Sequence, residues 1–267
     1  AVVTASSDHC AKTWELEDSG KLTFALSLDG HTSLVETADI SPDGLRVVTA
    51  SRDKSARIWN LEGECEQHLE GHTGWVTCVS FAPVDGRYVL TSGRDDTARI
   101  WNAETGDLVS SFCGHSKQIT FSCFSPDGTR VVTTSRDRSA IVWETETGKV
   151  LQTLDGHSNW VCSASFSPVA PLVATASSDK QVKVWSSDGQ VSQTLLHGRA
   201  VSSVAFSPDG SRLATSSCEA AGKLWDTETG VVIGELVDPE GVITSMTFSP
   251  DGESLLLMVE DQVAVIR

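Results

Sequence analysis

The sequence predicts an all-β protein made of repeated β-strand units, and three observations carry that prediction. Tryptophan recurs at positions 14, 59, 101, 143, 185 and 225, at intervals of 40 to 45 residues. The segments between them are rich in Val, Ile and Thr, and Pro-Asp-Gly and Glu-Thr-Gly turns separate them. No segment keeps the period of about 3.6 residues that marks an amphipathic helix, so we expect almost no helix.

The strands are predicted from short apolar runs. WVTCVSF (75–81), RVVTTS (130–135) and SAIVW (139–143) alternate or run apolar over five to seven residues. Proline presets φ and glycine accepts a positive φ, so Ser-Pro-Asp-Gly predicts a tight turn between strands. This tetrapeptide occurs at 41–44, 125–128, 207–210 and 249–252.

Composition excludes several classes of partner and site. The 267 residues carry a formal net charge of −16, which disfavours a nucleic-acid partner because the phosphate backbone is itself anionic. No apolar run approaches the roughly 18 residues of a membrane span, so no membrane partner is expected. Three of the seven cysteines, Cys78, Cys123 and Cys162, lie in apolar runs and are predicted to be buried reduced thiols. An intracellular, cytoplasmic location follows.

The repeating unit resembles the WD40 repeat. Its pattern is Gly-His, then Asp 22 or 23 residues after the His, then Trp six residues after the Asp. The resemblance covers nearly the whole chain and implies a β-propeller of four-stranded antiparallel blades. The Trp-Asp dipeptide survives only at 225–226. We expect one domain, 1–267, with units at approximately 1–30, 31–71, 72–114, 115–156, 157–197, 198–238 and 239–267.

Counting strands a to d from the innermost outward gives seven blades and 26 strands. The first 30 residues supply b, c and d, so the first blade lacks its innermost strand. The last unit supplies a, b and c, so the last blade lacks its outermost strand. The innermost strands are expected to begin near 33, 74, 117, 159 and 199. The alternative is a six-bladed ring with a spare tail.

The two missing strands would both lie just upstream of Ala1. Since the chain begins with neither Met nor a signal peptide, we expect it to be a fragment of a longer polypeptide or a processed form. A monomer is expected, and an unclosed ring would leave two open sheet edges for association with other chains.

Four units repeat a polar set that invites comparison with a catalytic triad. In WD40 proteins such residues form a hydrogen-bonded tetrad that ties the d–a loop to the b–c turn, and the resemblance implies that role here. Four equivalent copies do not suit a nucleophile, which needs one activated site. We therefore predict no catalytic residue, no metal and no cofactor. The sets are His31, Ser51, Asp53, Trp59; His72, Asp95, Trp101, with Gly93 in the serine place; His115, Ser135, Asp137, Trp143; and His157, Ser177, Asp179, Trp185.

The last two units depart from this set at several positions. His197 keeps its place in the sixth unit, but Glu219 stands where the Asp would be. In the last unit the four places hold Asp238, Met258, Glu260 and Ile266. That unit has no tetrad, so we expect it to be the least stable part of the fold.

A basic arc is predicted on the face that carries the b–c turns, usually called the top. Forked Arg contacts suit carboxylate or phosphate, and Trp and Arg dominate binding hot spots. We therefore predict a partner segment that is acidic or phosphorylated. The alternative is a solvated rim whose Arg side chains pair with neighbouring acids. The predicted binding residues are Arg52, Lys54, Trp75, Arg94, Arg136, Arg138, Trp160 and Lys180.

These observations predict a non-catalytic protein–protein interaction scaffold or adaptor. One alternative is a regulatory or sensor domain of a larger signalling NTPase or kinase. An enzyme with an active site at the channel mouth would need a non-repeated cluster of titratable residues, and the sequence shows none.

Overall fold

A computed structural model describes residues 2–16, 21–218, 221–237, 243–259 and 262–266. Across these residues the chain forms 26 strands and no helix, which confirms the predicted strand count. The strands make seven antiparallel sheets, and strands that follow one another in the chain are neighbours in the sheet. The fold class is a seven-bladed β-propeller with partial first and last blades, and the six-bladed alternative is wrong.

The first sheet has three strands, β1 (Val2–Ala5), β2 (Ala11–Leu16) and β3 (Leu22–Leu28). The second has β4 (Val35–Ile40), β5 (Arg46–Ser51), β6 (Ser55–Asn60) and β7 (Cys65–Glu70). The third has β8 (Val76–Phe81), β9 (Tyr88–Gly93), β10 (Thr97–Asn102) and β11 (Leu108–Cys113). The fourth has β12 (Ile119–Phe124), β13 (Arg130–Ser135), β14 (Ser139–Glu144) and β15 (Val150–Asp155).

The fifth sheet has β16 (Val161–Phe166), β17 (Val173–Ser177), β18 (Gln181–Trp185) and β19 (Val191–Leu196). The sixth has β20 (Val201–Phe206), β21 (Arg212–Ser217), β22 (Ala221–Asp226) and β23 (Val232–Val237). The seventh has three strands, β24 (Ile243–Phe248), β25 (Leu255–Val259) and β26 (Gln262–Ile266).

Strand register shows which strands the end sheets lack. Val2 pairs with Trp14 in the first sheet, as Val47 pairs with Trp59 in the second, so β1 to β3 are strands b, c and d. Phe248 pairs with Leu255 as Phe81 pairs with Val89, so β24 to β26 are strands a, b and c.

The five complete sheets begin two residues later than the sequence analysis expected, at 35, 76, 119, 161 and 201. The residue at each expected start lies in a bend, and the strand begins two residues after it.

The chain divides into two compact units. The first is Ala1–Val131 with Trp143–Lys149, and the second is Val132–Val142 with Val150–Arg267. Val48, Ile58 and Trp101 belong to a buried cluster of the first unit, and Val204 and Trp225 belong to one of the second. The single domain expected for 1–267 stays a prediction.

Burial along the strands follows their place in each sheet. In β5, β9 and β13 all residues but the first are buried, which indicates packing on both faces. In β7, β11, β15 and β19 only the fifth residue is buried. The outermost strands therefore contact the core through one face only.

The cysteines are free thiols. Cys78, Cys123 and Cys162 are half-buried by exposure of the whole residue, which corrects the expectation of full burial. They lie on β8, β12 and β16, the first strands of their sheets. Burial raises the pKa of the Cys123 thiol to about 12, so this thiol is not a reactive thiolate at neutral pH.

Candidate functional site

A hydrogen-bond chain links histidine, threonine and tryptophan inside the second sheet. His31 Nε2 lies 2.8 Å from Thr49 Oγ1, and the Trp59 indole N–H donates to the same oxygen at 2.9 Å. His31 Nδ1 lies 2.8 Å from Asp53 Oδ2. The chain joins the segment before β4 to β5, to β6 and to the turn between β5 and β6.

The same geometry recurs in the third and fifth sheets. His72 and His157 each lie 2.8 Å from an aspartate oxygen and 2.8 Å from a threonine hydroxyl. The indoles of Trp101 and Trp185 donate to those hydroxyls at 2.8 Å. The aspartates are Asp95 and Asp179, and the threonines are Thr91 and Thr175.

The direction of each bond follows from what the groups can donate. An indole N–H only donates, so the Thr49 oxygen accepts from Trp59 and its own proton is free to reach His31 Nε2. A carboxylate only accepts, so His31 Nδ1 carries the proton shared with Asp53. This assigns a neutral His31 protonated at Nδ1. Burial lowers the pKa of His31 and of His157, which favours the same neutral form.

The paired aspartate stays ionised. Burial is the largest single influence on the pKa of Asp53, and by itself it would raise that pKa. Hydrogen bonds from Ser55, His31 and the Thr32 amide outweigh it together and lower the pKa to about 2. The pKa of Asp95 and that of Asp179 are lowered against burial in the same way.

The hydroxyl that bonds to both histidine and tryptophan belongs to threonine, which corrects the sequence analysis, where serine was the predicted hydroxyl residue of each set. Ser51 donates to the Ser33 carbonyl and accepts from the Asp53 amide, both at 3.1 Å, so it fixes the turn and does not join the chain. Ser177 and Ser135 likewise accept from the amides of Asp179 and Asp137, at 3.1 and 3.0 Å. Trp59 pairs with Val47, and its indole extends along β5 only as far as Thr49.

The exception at Gly93 has a steric cause. A Cβ at this position would lie 2.1 Å from the carbonyl oxygen of Trp75. A serine there would require the backbone of Trp75, just before β8, to move, while Thr91 still accepts the Trp101 indole N–H.

The other units show parts of the same arrangement. In the fourth sheet the rings of His115 and Trp143 meet edge to face with centroids 6.5 Å apart. In the sixth, Thr215 accepts from Trp225 at 2.8 Å and lies 3.1 Å from His197 Nε2. Burial lowers the pKa of His197 to about 4. The predictions on Glu219, Asp238 and Glu260, and on the side chain of Ile266, lie outside the described residues; Met258 is exposed.

The first unit contains an arginine–tryptophan cluster, which we define as Arg52, Trp75 and Arg94. The guanidinium carbons of Arg52 and Arg94 lie 4.4 and 4.2 Å from the Trp75 ring centroid. Arg52 comes from the β5–β6 turn, Trp75 precedes β8, and Arg94 follows β9. Each distance is within the reach of a cation–π interaction.

The two arginines of this cluster differ in their ion pairing. Arg52 Nε donates to Glu36 Oε1, so its charge is compensated. Arg94 is exposed, and its guanidinium makes no hydrogen bond or ion pair within the described part of the chain. Stacking uses the face of a guanidinium, whereas its N–H donors point outward in its plane. The donors of Arg94 are therefore available to an anion.

The second unit contains a smaller cluster of Arg136 and Trp160. The Arg136 guanidinium carbon lies 4.3 Å from the Trp160 ring centroid, and Trp160 is 44% exposed. The other predicted cations do not contact these rings. Lys54, Arg138 and Lys180 are exposed turn residues with φ of +73°, +79° and +73°.

The sequence shows its relationships through the same repeats. The family described as WD domain, G-beta repeat matches residues 22–60, 63–102, 106–144, 148–186 and 189–226, more than half of the chain. The chain belongs to the WD40 repeat family. The predicted resemblance is confirmed, and the tetrads lie within the matched repeats.

Curated WD-repeat proteins are similar over shorter stretches. WD repeat and SOCS box-containing protein 1 of Xenopus tropicalis is 40% identical over 85 residues, 31% of this chain and 19% of that protein. The Danio rerio protein of the same name is 43% identical over 75 residues, 27% of this chain and 17% of that protein. Nuclear distribution protein PAC1 of Yarrowia lipolytica is 36% identical over 86 residues, 32% and 19% of the two chains. The matches span about a fifth of each relative.

The WD40 family and these relatives support a protein-interaction role in general. The family is generally non-catalytic. Within the described residues no group of three or more His, Cys, Asp or Glu side chains is placed to hold a metal ion. The same residues contain no helix with the length and apolarity that crossing a bilayer requires.

Proposed function

We propose that this WD40 chain is a non-catalytic interaction module that binds an acidic or phosphorylated segment of a partner protein. Each unit has its own candidate binding residues, which are Trp75 and Arg94 in the first unit and Arg136 and Trp160 in the second. The observation that carries the proposal is the Arg94 guanidinium, stacked 4.2 Å from the Trp75 ring with its in-plane donors uncompensated.

Stacking also reduces the entropy that the arginine side chain loses on binding. An arginine already held against an indole loses little side-chain freedom when it binds, so more of the interaction energy is retained. The partly exposed indole beside it adds apolar contact to charge-assisted hydrogen bonds. Lys54, Arg138 and Lys180 have no such support and contribute only general positive charge.

A peptide array tests the proposal. We expect wild-type binders to be enriched in Asp, Glu or phosphorylated residues, and Arg94→Gln with Arg136→Gln to lose that enrichment. Lys54→Gln with Lys180→Gln is the matched control, because it also removes two positive charges from exposed turns without replacing a stacked arginine. Binders without acidic enrichment, or equal losses with the control variant, would contradict the proposal.

The proposal extends to the setting of the module. Two of the relatives carry a SOCS box in their names beside the WD repeat, which supports a WD40 module as one part of a larger protein. The free cysteines support an intracellular location, where thiols stay reduced.

A further inference from the structure

Two tryptophans hold the same place in the repeat but differ in the residue beside them. In the third sheet the Arg94 amide donates to the Trp75 carbonyl at 2.8 Å. In the fifth sheet the Ser178 amide donates to the Trp160 carbonyl at 2.9 Å. Each tryptophan immediately precedes the first strand of its sheet. The two tryptophans are therefore equivalent, and serine replaces arginine beside the second one.

The indole of Trp160 is less covered than that of Trp75. Two guanidinium carbons lie 4.4 and 4.2 Å from the Trp75 ring centroid, and Trp75 is half-buried. Among the described residues, Arg136 alone comes as close to the Trp160 ring, at 4.3 Å, and Trp160 is 44% exposed. Ser178 stands where the second arginine would come from, and a serine side chain does not reach across an indole. Part of the Trp160 ring is therefore left open.

The residues next to this open part of the ring are uncharged. Ser178 Oγ lies 3.2 Å from Cys162 Sγ, which holds the serine side chain against β16. In strand register Cys162 takes the place in β16 that Glu36 has in β4. The carboxylate of Glu36 compensates Arg52 in the first unit. The fifth sheet therefore has neither this carboxylate nor the arginine of the turn.

The charges around Trp160 favour an uncharged occupant. Arg136 is stacked on the indole and Lys180 lies exposed in the β17–β18 turn, and neither has an ion pair within the described part of the chain. The carboxylate of that turn, Asp179, is buried against His157. A cationic side chain would therefore meet like charges without an accessible carboxylate in the turn. An aromatic ring needs no counter-ion and gains contact with an indole by offset or edge-to-face packing.

The backbone of Trp160 is held in place on both sides. Its carbonyl also accepts from the Ser177 hydroxyl at 2.9 Å, and its amide donates to Asn159 Oδ1 at 2.9 Å. An exposed tryptophan on a fixed backbone loses little freedom when a partner binds. Tryptophan is also among the residues that dominate binding hot spots.

We propose that the open part of the Trp160 ring receives an aromatic side chain of the partner segment, close to the acidic residue that Arg136 binds. This inference rests on the proposed function and makes the partner more specific. The second unit selects a segment with an aromatic residue near an acidic one. The first unit, where two arginines cover Trp75, selects the acidic residue alone.

Four short peptides of glycine and serine test this preference. Three carry two glutamates beside phenylalanine, leucine or alanine, and the fourth carries two glutamines beside phenylalanine. Binding is followed by NMR titration of the Trp160 indole N–H signal, which reports on the second unit. We expect the phenylalanine–glutamate peptide to bind about fivefold more tightly than the alanine peptide, with leucine between them. The glutamine peptide should bind more weakly than its glutamate counterpart, because Arg136 then lacks its anion.

A matched pair of variants tests the open ring directly. Ser178→Arg places a guanidinium where Arg94 stands in the first unit, so it should cover the ring. The preference for phenylalanine over alanine should then fall below about twofold, while the preference for glutamate over glutamine remains. Ser187→Arg adds the same side chain in the exposed β18–β19 turn and should leave both preferences unchanged.

The outcomes separate this inference from the proposed function. Equal affinity for the phenylalanine peptide and for the alanine or leucine peptide, with glutamate still preferred over glutamine, overturns the aromatic site alone. A phenylalanine preference that persists in folded Ser178→Arg overturns it too. Equal affinity for the glutamate and glutamine peptides, with phenylalanine preferred, overturns the acidic-segment proposal and supports the aromatic site. No response of the Trp160 signal to any peptide overturns both at this unit.

Discussion

The Thr49 hydroxyl accepts the indole N–H of Trp59 at 2.9 Å, across two neighbouring strands of the second sheet. Pairs with the same ten-residue spacing have this bond in other sheets too, including Trp14 with Thr4 and Trp225 with Thr215. Where a histidine Nε2 also bonds to this threonine, the hydroxyl connects histidine and tryptophan in one buried hydrogen-bond chain, and we call it the threonine hub. Removing it should therefore cost more than removing an ordinary surface hydroxyl.

Thr175→Val tests the hub. Valine keeps the shape of threonine but leaves the Trp185 indole N–H without its acceptor and His157 Nε2 without its donor, both in the interior. We expect a loss of about 2–3 kcal/mol in the free energy of unfolding by urea. Thr194→Val, an exposed change on β19, is the control and should stay within about 0.5 kcal/mol of wild type. Equal effects of the two substitutions would contradict the hub.

Acid should destabilise the fold in a defined window. The pKa of His197 is about 4 in the folded chain against 6.5 as a reference, and burial also lowers that of His31 and His157. The unfolded chain therefore takes up protons first as pH falls. We expect the free energy of unfolding to be steady above pH 6.5 and to decline from there toward pH 4. His197→Gln should flatten part of this decline, and an unchanged slope would refute that contribution.

Below pH 4 the protonation of the paired aspartates determines the further loss of stability. Asp53 has a pKa of about 2 in the folded chain against 3.8 as a reference, so its contribution is lost as pH falls from about 3.8 to about 2.

A turn lysine should be replaceable by glycine with a gain in stability. Lys54 has a φ of +73°, a conformation that strains a residue with a Cβ but not glycine. We expect Lys54→Gly to raise the free energy of unfolding by about 0.5 kcal/mol, after the greater entropy loss of glycine is counted. Lys149, exposed and without a positive φ, provides the contrast, since Lys149→Gly should be destabilising. A loss at both positions would argue against strain at Lys54.

The ion pair between Glu36 and Arg52 should weaken anion binding, because it compensates the charge of the Arg52 guanidinium. Because Arg52 Nε donates to Glu36 Oε1, Glu36→Gln leaves that guanidinium uncompensated beside Trp75. We expect a glutamate-rich peptide to bind the variant a few-fold more tightly, measured by calorimetry. Glu62→Gln, in the β6–β7 turn, controls for the change in net charge. Unchanged or weaker binding by Glu36→Gln would contradict this role.

Amide hydrogen exchange should find the seventh sheet least protected. Leu256 stands ten residues before Ile266, where the other sheets have threonine before tryptophan, so this sheet lacks the buried hydroxyl. Leu256 and Met258 are 38% and 37% exposed. We expect amides of β25 to exchange faster than those of β9. Stronger protection of β25 than of β9 would rule this out.

Repeats made the fold predictable from sequence. The tryptophan spacing determines the number of units, and the strand and turn patterns within one unit are reinforced by every other copy. The threonine hub has a signal in the sequence, since six threonines each lie ten residues before a tryptophan: Thr4, Thr49, Thr91, Thr133, Thr175 and Thr215. Ser51 lies only two residues from Thr49, and strand register is needed to show which of the two hydroxyls the Trp59 indole reaches.

The binding surfaces were harder to predict because they depend on single departures from the repeat. Sequence placed Arg52, Arg94 and Trp75 in neighbouring turns, but not their stacking on one ring or the compensation of Arg52 by Glu36. In the third sheet one additional residue between β8 and β9 places Tyr88 at the register position that Arg46 has in the second sheet. Such a shift has no signature in composition or periodicity.

The most direct test of anion recognition is the dissociation constant of one glutamate-rich peptide for wild type, Arg94→Gln and Lys54→Gln, measured at one salt concentration. Loss of a charge-assisted contact from a stacked guanidinium should weaken binding by Arg94→Gln about tenfold. Lys54→Gln should change it less than about twofold, since an exposed turn charge contributes little. Equal dissociation constants for wild type and Arg94→Gln would contradict the proposed site.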